Sequence, residues 1–169
     1  MPKIMNGVIL VGHGGPEMLH YRKDLKIPQS KLGEVLIKVH AAGVNNTDIN
    51  TKTAWYSKSK DSNLDASWSG SAITFPRIQG IDACGEIIAV GKGVNSSRIG
   101  ERVLVEPCLY EIEGKKLSSP WFFGSECDGA FCEYTTVASS HAYKIESKLS
   151  SNELASFPCS YSTAENMLS

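Results

Sequence analysis

One acidic residue stands inside a glycine-punctuated stretch that is otherwise largely apolar. Asp82 lies between Ile81 and Ala83 in residues 77–91, where glycines occupy positions 80, 85 and 91. Asp side chains in turns commonly accept hydrogen bonds from backbone N–H groups. The alternative is a carboxyl group at the base of a binding cleft, where a few polar groups orient a ligand. The local sequence leaves both interpretations open.

The five cysteines do not follow the spacing of a metal knuckle or a disulfide framework. A four-cysteine zinc site needs close Cys-x-x-Cys pairs, and the sequence has none. The first residues are too few and too broken to predict an export signal, so we expect a cytoplasmic protein with free thiols. The cysteines are Cys84, Cys108, Cys127, Cys132 and Cys159.

Composition and charge exclude several functional classes. The 169 residues carry a net charge of −1, with 41% hydrophobic and 21% charged residues. Such a chain has no field that would attract nucleic acid. No apolar run approaches the ~18 residues that a membrane span requires. We therefore expect a globular domain that binds neither nucleic acid nor membrane.

A glycine-containing turn near the N-terminus does not predict a phosphate-binding loop. Residues 7–11 form a short apolar strand that runs into Gly12-His13-Gly14. The third glycine of a dinucleotide-binding fingerprint would stand at position 17, which is Glu. A second strand, rather than a helix, is predicted to follow.

Short strands separated by turns dominate the pattern. Strands are predicted at 7–11, 17–25, 34–42, 86–90, 102–107, 129–137 and 141–145, with 57–71 as a surface loop and 108–119 as irregular chain. Gly85 marks a bulge or a close backbone approach. A helix begins after an Asn45 or Asn46 cap, and another after Ser150 or Ser151 with Glu153 completing a capping box. Pro158 is expected to end that helix, and residues 163–168 begin another.

Several motifs in sequence order carry a resemblance to a known family. They are Ala42-Gly43-Val44-Asn45, residues 80–87, residues 129–134 and Ser162-Thr163-Ala164. With them, the sequence resembles the N-terminal catalytic domain of the medium-chain dehydrogenases/reductases, the superfamily of zinc alcohol dehydrogenases and quinone oxidoreductases. The resemblance implies a mainly β (α+β) fold: a GroES-like β-barrel with a few short helices.

The resemblance also implies a domain organisation. Residues 1–150 correspond to the GroES-like domain, and residues 151–169 to linker helices that lead toward a Rossmann domain outside the chain. We expect the main NAD(P)H site in that absent domain, so the chain alone is expected to be inactive. The full-length protein is expected to be a homo-oligomer.

The positions of the zinc ligands argue against a metal site. Zinc alcohol dehydrogenases place Cys, His and Cys where this sequence has Asn45, Ile81 and Cys159. Isoleucine cannot coordinate a metal, and asparagine is a poor zinc ligand beside thiolate and imidazole. We expect no metal ligands and no zinc. The alternative is a zinc enzyme with altered ligands, in which Asp82, Cys159 and a water hold the metal.

The resemblance assigns roles to the remaining site residues. Asn45 matches an amide that contacts a substrate carbonyl or the nicotinamide, although a helix cap explains it equally well. Thr47 matches a proton-relaying hydroxyl, or serves structure alone. Tyr56 and Thr163 match residues beside the nicotinamide, with core packing as the alternative for Tyr56. Asp82 and Cys159 complete the predicted catalytic set.

These roles imply NAD(P)H-dependent reduction of a small carbonyl, enone or quinone. The alternative from another class is a non-enzymatic GroES-like binding module, which predicts a mobile hydrophobic loop. The loop at 57–71 is mostly polar. The four histidines match nothing catalytic and are expected at the surface or in strands.

Overall fold

The computed structural model describes residues 3–57, 67–70 and 72–168, and most of the loop predicted at 57–71 lies outside these residues. The strands are β1 Ile4–Leu10, β2 Leu19–Lys26, β3 Glu34–Gly43, β4 Arg77–Ile78, β5 Asp82–Val90, β6 Arg102–Val105, β7 Cys108–Ile112, β8 Lys115–Phe122, β9 Tyr134–Ala138 and β10 Ala142–Lys144. The α-helices are α1 Asn46–Lys52, α2 Ser151–Leu154 and α3 Pro158–Leu168. The predicted mainly β fold with short helices is confirmed.

Three antiparallel sheets share the strands. The largest has the order β10-β6-β5-β3-β9, and the others are β2-β1-β4 and the β7-β8 hairpin. A bridge between Gly7 and Cys132 connects the β1 sheet to the chain leading into β9. The main core lies between the large sheet and the hairpin, because Val35, Ile37 and Ile87 pack there with Leu109 and Phe123.

The two central strands of the large sheet approach so closely that one position requires glycine. β3 pairs with β5, and their register shifts between Val39 and Ala41, opposite Gly85 and Cys84. A Cβ added to Gly85 would lie 2.4 Å from the Lys38 carbonyl oxygen. The close backbone approach at Gly85 is confirmed. The bulge lies opposite it in β3, where His40 is the extra residue.

The expectation of irregular chain at 108–119 is wrong, because β7 and β8 form a hairpin there. The two turn residues, Glu113 and Gly114, have φ values of 51° and 74°. A two-residue turn of this kind needs positive φ at both positions, which Asn-Gly or Asp-Gly normally supplies. Glu113 occupies this uncommon conformation and pairs with Lys31 at 2.5 Å. The sequence did not indicate this turn, because glutamate is uncommon at a position with positive φ.

Capping residues define the helices that border the large sheet. Asn45 caps α1 and Ser150 caps α2, each through a capping box. α3 begins at Pro158, five residues before the predicted start. Proline suits the first position of a helix because its missing N–H has no partner to lose there. Pro158 therefore starts a helix as well as separating α3 from α2.

A buried carboxylate fixes α1 against the chain that enters β5. Asp48 accepts hydrogen bonds from the backbone N–H groups of Asn45, Gly80 and Ile81 at 2.9–3.2 Å. Gln79 donates its side-chain amide to the Asp48 carbonyl oxygen at 3.0 Å. These contacts hold the start of α1 beside the start of β5.

No helix in the described part of the chain is long and apolar enough to cross a membrane. The division between a domain at 1–150 and linker helices at 151–169 stays a prediction.

We predict that Gly85→Ala destabilises the fold by about 2–3 kcal/mol, because the new methyl group must push the β3 backbone away. The matched control is Gly12→Ala, whose Cβ would lie 3.8 Å from the nearest atom, the Met18 sulfur. Chemical denaturation measures both. Equal stability of the two variants would contradict the close packing of β3 on β5.

We also predict a pH dependence that originates at Asp48. Burial raises the pKa of this carboxyl from 3.8 to about 6, against the lowering effect of its three N–H donors. The folded state then binds the proton more tightly than the unfolded state. This contribution to stability, up to about 3 kcal/mol, is present below pH 3.8 and is lost as pH rises to about 6.

Unfolding free energies measured between pH 4 and pH 7 test this prediction. Asp48→Asn should flatten the decline in stability with rising pH, whereas Asp24→Asn, at an exposed ion pair with Arg22, should leave that decline in place. An unchanged slope in Asp48→Asn would show that Asp48 does not titrate in this range.

Candidate functional site

A cavity of about 830 Å³ opens beside the starts of α1, β5 and α3. Five of the six predicted site residues line it: Asn45, Thr47, Tyr56, Cys159 and Thr163. The structure therefore brings together residues that are up to 118 positions apart in sequence. Asp82, the sixth, is not among the lining residues and is buried, with 3% of its surface exposed.

Asn45 both caps a helix and faces the cavity. Its Oδ1 accepts a hydrogen bond from the Thr47 N–H at 3.1 Å, and its Nδ2 donates to Asp82 Oδ2 at 3.3 Å. An amide nitrogen carries two hydrogens. One hydrogen is directed to Asp82, which leaves the second for a ligand in the cavity. The helix-cap interpretation is confirmed and is compatible with ligand contact.

Asp82 connects two helices behind the cavity wall. Besides the Asn45 amide, it accepts a hydrogen bond from the Cys159 backbone N–H at 2.7 Å through Oδ1. Burial raises the pKa of Asp82, while the Cys159 and Asn45 hydrogen bonds lower it. Asp82 therefore positions Asn45 at the start of α1 relative to Cys159 near the start of α3.

A pair of hydroxyl groups lies in the cavity wall. Thr47 Oγ1 and Tyr56 OH are 2.6 Å apart, and Asn50 Nδ2 donates to Tyr56 OH at 3.2 Å. Either hydroxyl can donate to the other, and one arrangement has the Tyr56 proton pointing at Thr47 while the Tyr56 oxygen accepts from Asn50. Thr47 then has its proton free for an acceptor in the cavity. This arrangement can deliver a proton to a ligand.

Cys159 is a neutral thiol at physiological pH. Burial raises its pKa to about 11, and the nearby carboxyl groups of Asp82 and Asp48 act in the same direction. A thiol in this state is a poor nucleophile, because the thiolate is the reactive form. Thr163 Oγ1 donates to the Cys159 carbonyl oxygen at 2.7 Å, which orients its side chain along α3.

Of the three positions that zinc alcohol dehydrogenases fill with metal ligands, only Cys159 holds a good zinc ligand here. Ile81 is buried and lines the cavity together with Asn45 and Cys159. Among the described residues, no group of three or more His, Cys, Asp or Glu side chains lies close enough to hold a metal ion. A catalytic zinc site normally takes three protein ligands from cysteine, histidine and carboxylate side chains.

The glycine-containing turn at 12–15 is closed by a side chain from its own end. In the turn at 12–15, the Gly15 N–H, which a phosphate would need, donates instead to Glu17 Oε1 at 2.8 Å. A short 3-10 helix, Pro16–Met18, then leads into β2. That this turn binds no phosphate stays a prediction.

Aromatic side chains form a part of the wall that the sequence did not assign to the site. Trp68, Phe122 and Tyr110 line the cavity. The Trp68 ring meets Tyr56 edge to face at 5.0 Å and Phe122 at 6.2 Å. Trp68 was visible as a large aromatic residue in a polar loop, whereas Phe122 lies in the strand that was missed.

One histidine has a structural role that the sequence did not predict. His141 is buried, and its Nε2 accepts the backbone N–H groups of Tyr110 and Glu111 at 3.0 and 3.1 Å. Burial lowers the pKa of His141, which keeps the ring neutral and able to accept. His141 therefore anchors β7, which carries the cavity-lining residue Tyr110.

Comparison with known proteins places the chain in one family. Residues 31–147 match the model of the alcohol dehydrogenase GroES-like domain. The human quinone oxidoreductase is 30% identical over 98% of this chain and 41% of its own length. The chain spans about two fifths of the length of the curated relatives it matches.

Solved structures agree with this assignment. A candidate alcohol dehydrogenase from Sinorhizobium meliloti 1021 is 42% identical with a TM-score of 0.87, over 99% of this chain and 47% of that one. A short chain alcohol dehydrogenase from E. coli CFT073, complexed with NADH, is 25% identical with a TM-score of 0.70, over 91% of this chain and 42% of that one. The predicted GroES-like fold is confirmed.

The chain therefore belongs to the alcohol dehydrogenase GroES-like domain family, the N-terminal catalytic domain of the medium-chain dehydrogenases/reductases.

Proposed function

We propose that this chain is the substrate-binding and catalytic domain of an NAD(P)H-dependent oxidoreductase that reduces a small carbonyl, enone or quinone without zinc. The main cofactor site lies outside the chain, so the chain alone has no turnover. The observation that carries the proposal is the cavity itself, in which Asn45, Thr47, Tyr56, Cys159 and Thr163 meet. Quinone oxidoreductases among the relatives support the same class.

Residues at three positions of the cavity support the absence of zinc. Asn45, Ile81 and Cys159 share the cavity wall, and only Cys159 is a good zinc ligand. A substrate oxygen in this cavity is therefore polarised by hydrogen-bond donors instead of a metal ion.

The bound nicotinamide supplies the hydride. The chain orients the acceptor and excludes water, which brings the reacting atoms together. The second Asn45 amide hydrogen donates to the substrate carbonyl oxygen or to the carboxamide of the nicotinamide. Asp82 holds that amide in place through its contact at 3.3 Å. Thr163 and Tyr56, which line the cavity, would border the nicotinamide ring.

The proton that neutralises the reduced acceptor comes from the hydroxyl pair. Thr47 donates its proton to the acceptor and recovers one from Tyr56 across their 2.6 Å contact. Asn50, which donates to the Tyr56 oxygen at 3.2 Å, stabilises the phenolate character that develops there. Solvent then reprotonates Tyr56.

We predict that metal removal leaves the full-length protein active. Reduction of a quinone by NADPH should proceed at the same rate before and after dialysis against a chelator, because no step uses a metal. Metal analysis of the purified protein accompanies the assay. Activity that is lost with the chelator and restored by zinc would establish the alternative, in which Asp82 and Cys159 hold the metal.

A variant designed to bind zinc tests the same point from the opposite direction. The double substitution Asn45→Cys and Ile81→His places two strong ligands beside Cys159 in the same wall. This variant should bind about one zinc ion per chain, as tetrahedral sites of this ligand type do. The unsubstituted protein should bind none under the same conditions.

We also predict that Tyr56→Phe lowers kcat about 100-fold with little change in KM, because the ring remains while the proton donor is lost. Steady-state kinetics of the full-length protein measure this split. The matched control is Tyr161→Phe on α3, whose side chain is 61% exposed and lies outside the cavity lining. Equal kcat values for the two variants would exclude the hydroxyl pair as the proton source.

A further inference from the structure

We propose that the cavity selects acceptors that carry an uncharged planar ring, and that Trp68, Phe122 and Glu106 set this selectivity. The inference rests on the proposed function and adds a substrate class to it. Three properties of the cavity lead to it: an exposed aromatic surface in the wall, a one-sided charge distribution and a large volume.

The aromatic surface is available to a ligand. Trp68 meets Tyr56 at 5.0 Å and an interplanar angle of 89°, and meets Phe122 at 6.2 Å and 72°. Such edge-to-face contacts fix the orientation of the rings. Even so, Trp68 lines the cavity and 59% of its surface is exposed. A planar ring can stack on the part of the indole that faces the cavity.

A further aromatic side chain approaches from β7. Tyr110 lines the same cavity and is 58% exposed. Its backbone N–H is fixed by His141 at 3.0 Å, so this part of the wall is attached to the core. Buried Pro107, just before β7, adds apolar surface beside it. The cavity therefore offers aromatic contact from the Trp68 loop and from the hairpin.

The charges around the cavity have one sign. Among the described residues that line it, Glu106 and Glu165 are the carboxylates, and no Lys, Arg or His is present. Asp82 and Asp48 lie behind the wall, near Asn45. Like charges repel across a partly desolvated cavity much more than in bulk water. An anionic acceptor, such as a carboxylate, is therefore disfavoured, and Glu106 contributes more to this than exposed Glu165.

The volume also exceeds what the smallest acceptors need. Cavities of 300–1,000 Å³ are typical of sites for ligands of drug size, as an order-of-magnitude guide. At about 830 Å³, this cavity accommodates a ring-bearing acceptor together with the nicotinamide ring. A short aliphatic aldehyde would leave much of the aromatic surface uncovered.

The test measures kcat/KM of the full-length protein for three enones: benzylideneacetone, its para-carboxylate derivative and the straight-chain octenone. We expect the highest kcat/KM for benzylideneacetone. Trp68→Leu and Phe122→Leu should each lower it about tenfold through KM, the size of one lost aromatic contact, and should lower kcat/KM for the octenone much less. Glu106→Gln should improve the carboxylate derivative selectively.

The matched control is Trp55→Leu. Trp55 is 71% exposed, neighbours Tyr56 at 5.5 Å and does not line the cavity. This variant should keep the wild-type preference among the three enones. Since Trp68 is itself exposed, its replacement should not unfold the protein, and circular dichroism checks this.

Equal kcat/KM for benzylideneacetone and the octenone, or a Trp68→Leu variant with unchanged preference, would overturn the inference while leaving the proposed function standing. Direct binding measurements distinguish failure of this inference from failure of the proposed function. Benzylideneacetone that shifts the NMR signals of Trp68 and Thr47 without any turnover would contradict the proposed reduction but support the ring-binding cavity.

Discussion

The buried carboxylate of Asp48 is the constraint on which the rest of the site depends. It accepts backbone N–H groups of Asn45 in the α1 cap and of Gly80 and Ile81 before β5. These contacts bring Asn45 and Ile81 to one wall of the cavity. An unpaired buried carboxylate is costly, so its three donors make the arrangement obligatory.

Asp82 extends this arrangement to α3. It joins the Asn45 side chain to the Cys159 backbone, so the two helices that border the cavity are held relative to the same strand. The close approach of β3 and β5 at Gly85 fixes that strand in the sheet. Backbone packing, two buried carboxyl groups and one amide thus determine where a ligand and its hydrogen-bond donor meet.

Local signals made much of this predictable. Asn45 and Ser150 were readable as caps, and Gly85 as a close approach, because the responsible interactions lie within a few residues or at one strand. The β7-β8 hairpin was missed, since Glu113 adopts a positive φ that its residue type does not indicate. Phe122 and Tyr110 were missed with it as cavity residues. Asp82 had two interpretations in sequence, because its partners are 37 and 77 residues away.

The most direct test of the account follows the hydride itself. In this test, metal-free holoenzyme is incubated with an enone and nicotinamide cofactor that carries deuterium at the transferred position, and mass spectrometry locates any label in the product. The account predicts one deuterium bound to carbon, with the new O–H or C–H proton coming from solvent and depending on the Tyr56 hydroxyl. A product without deuterium, or labelled product only after zinc is added, would contradict it.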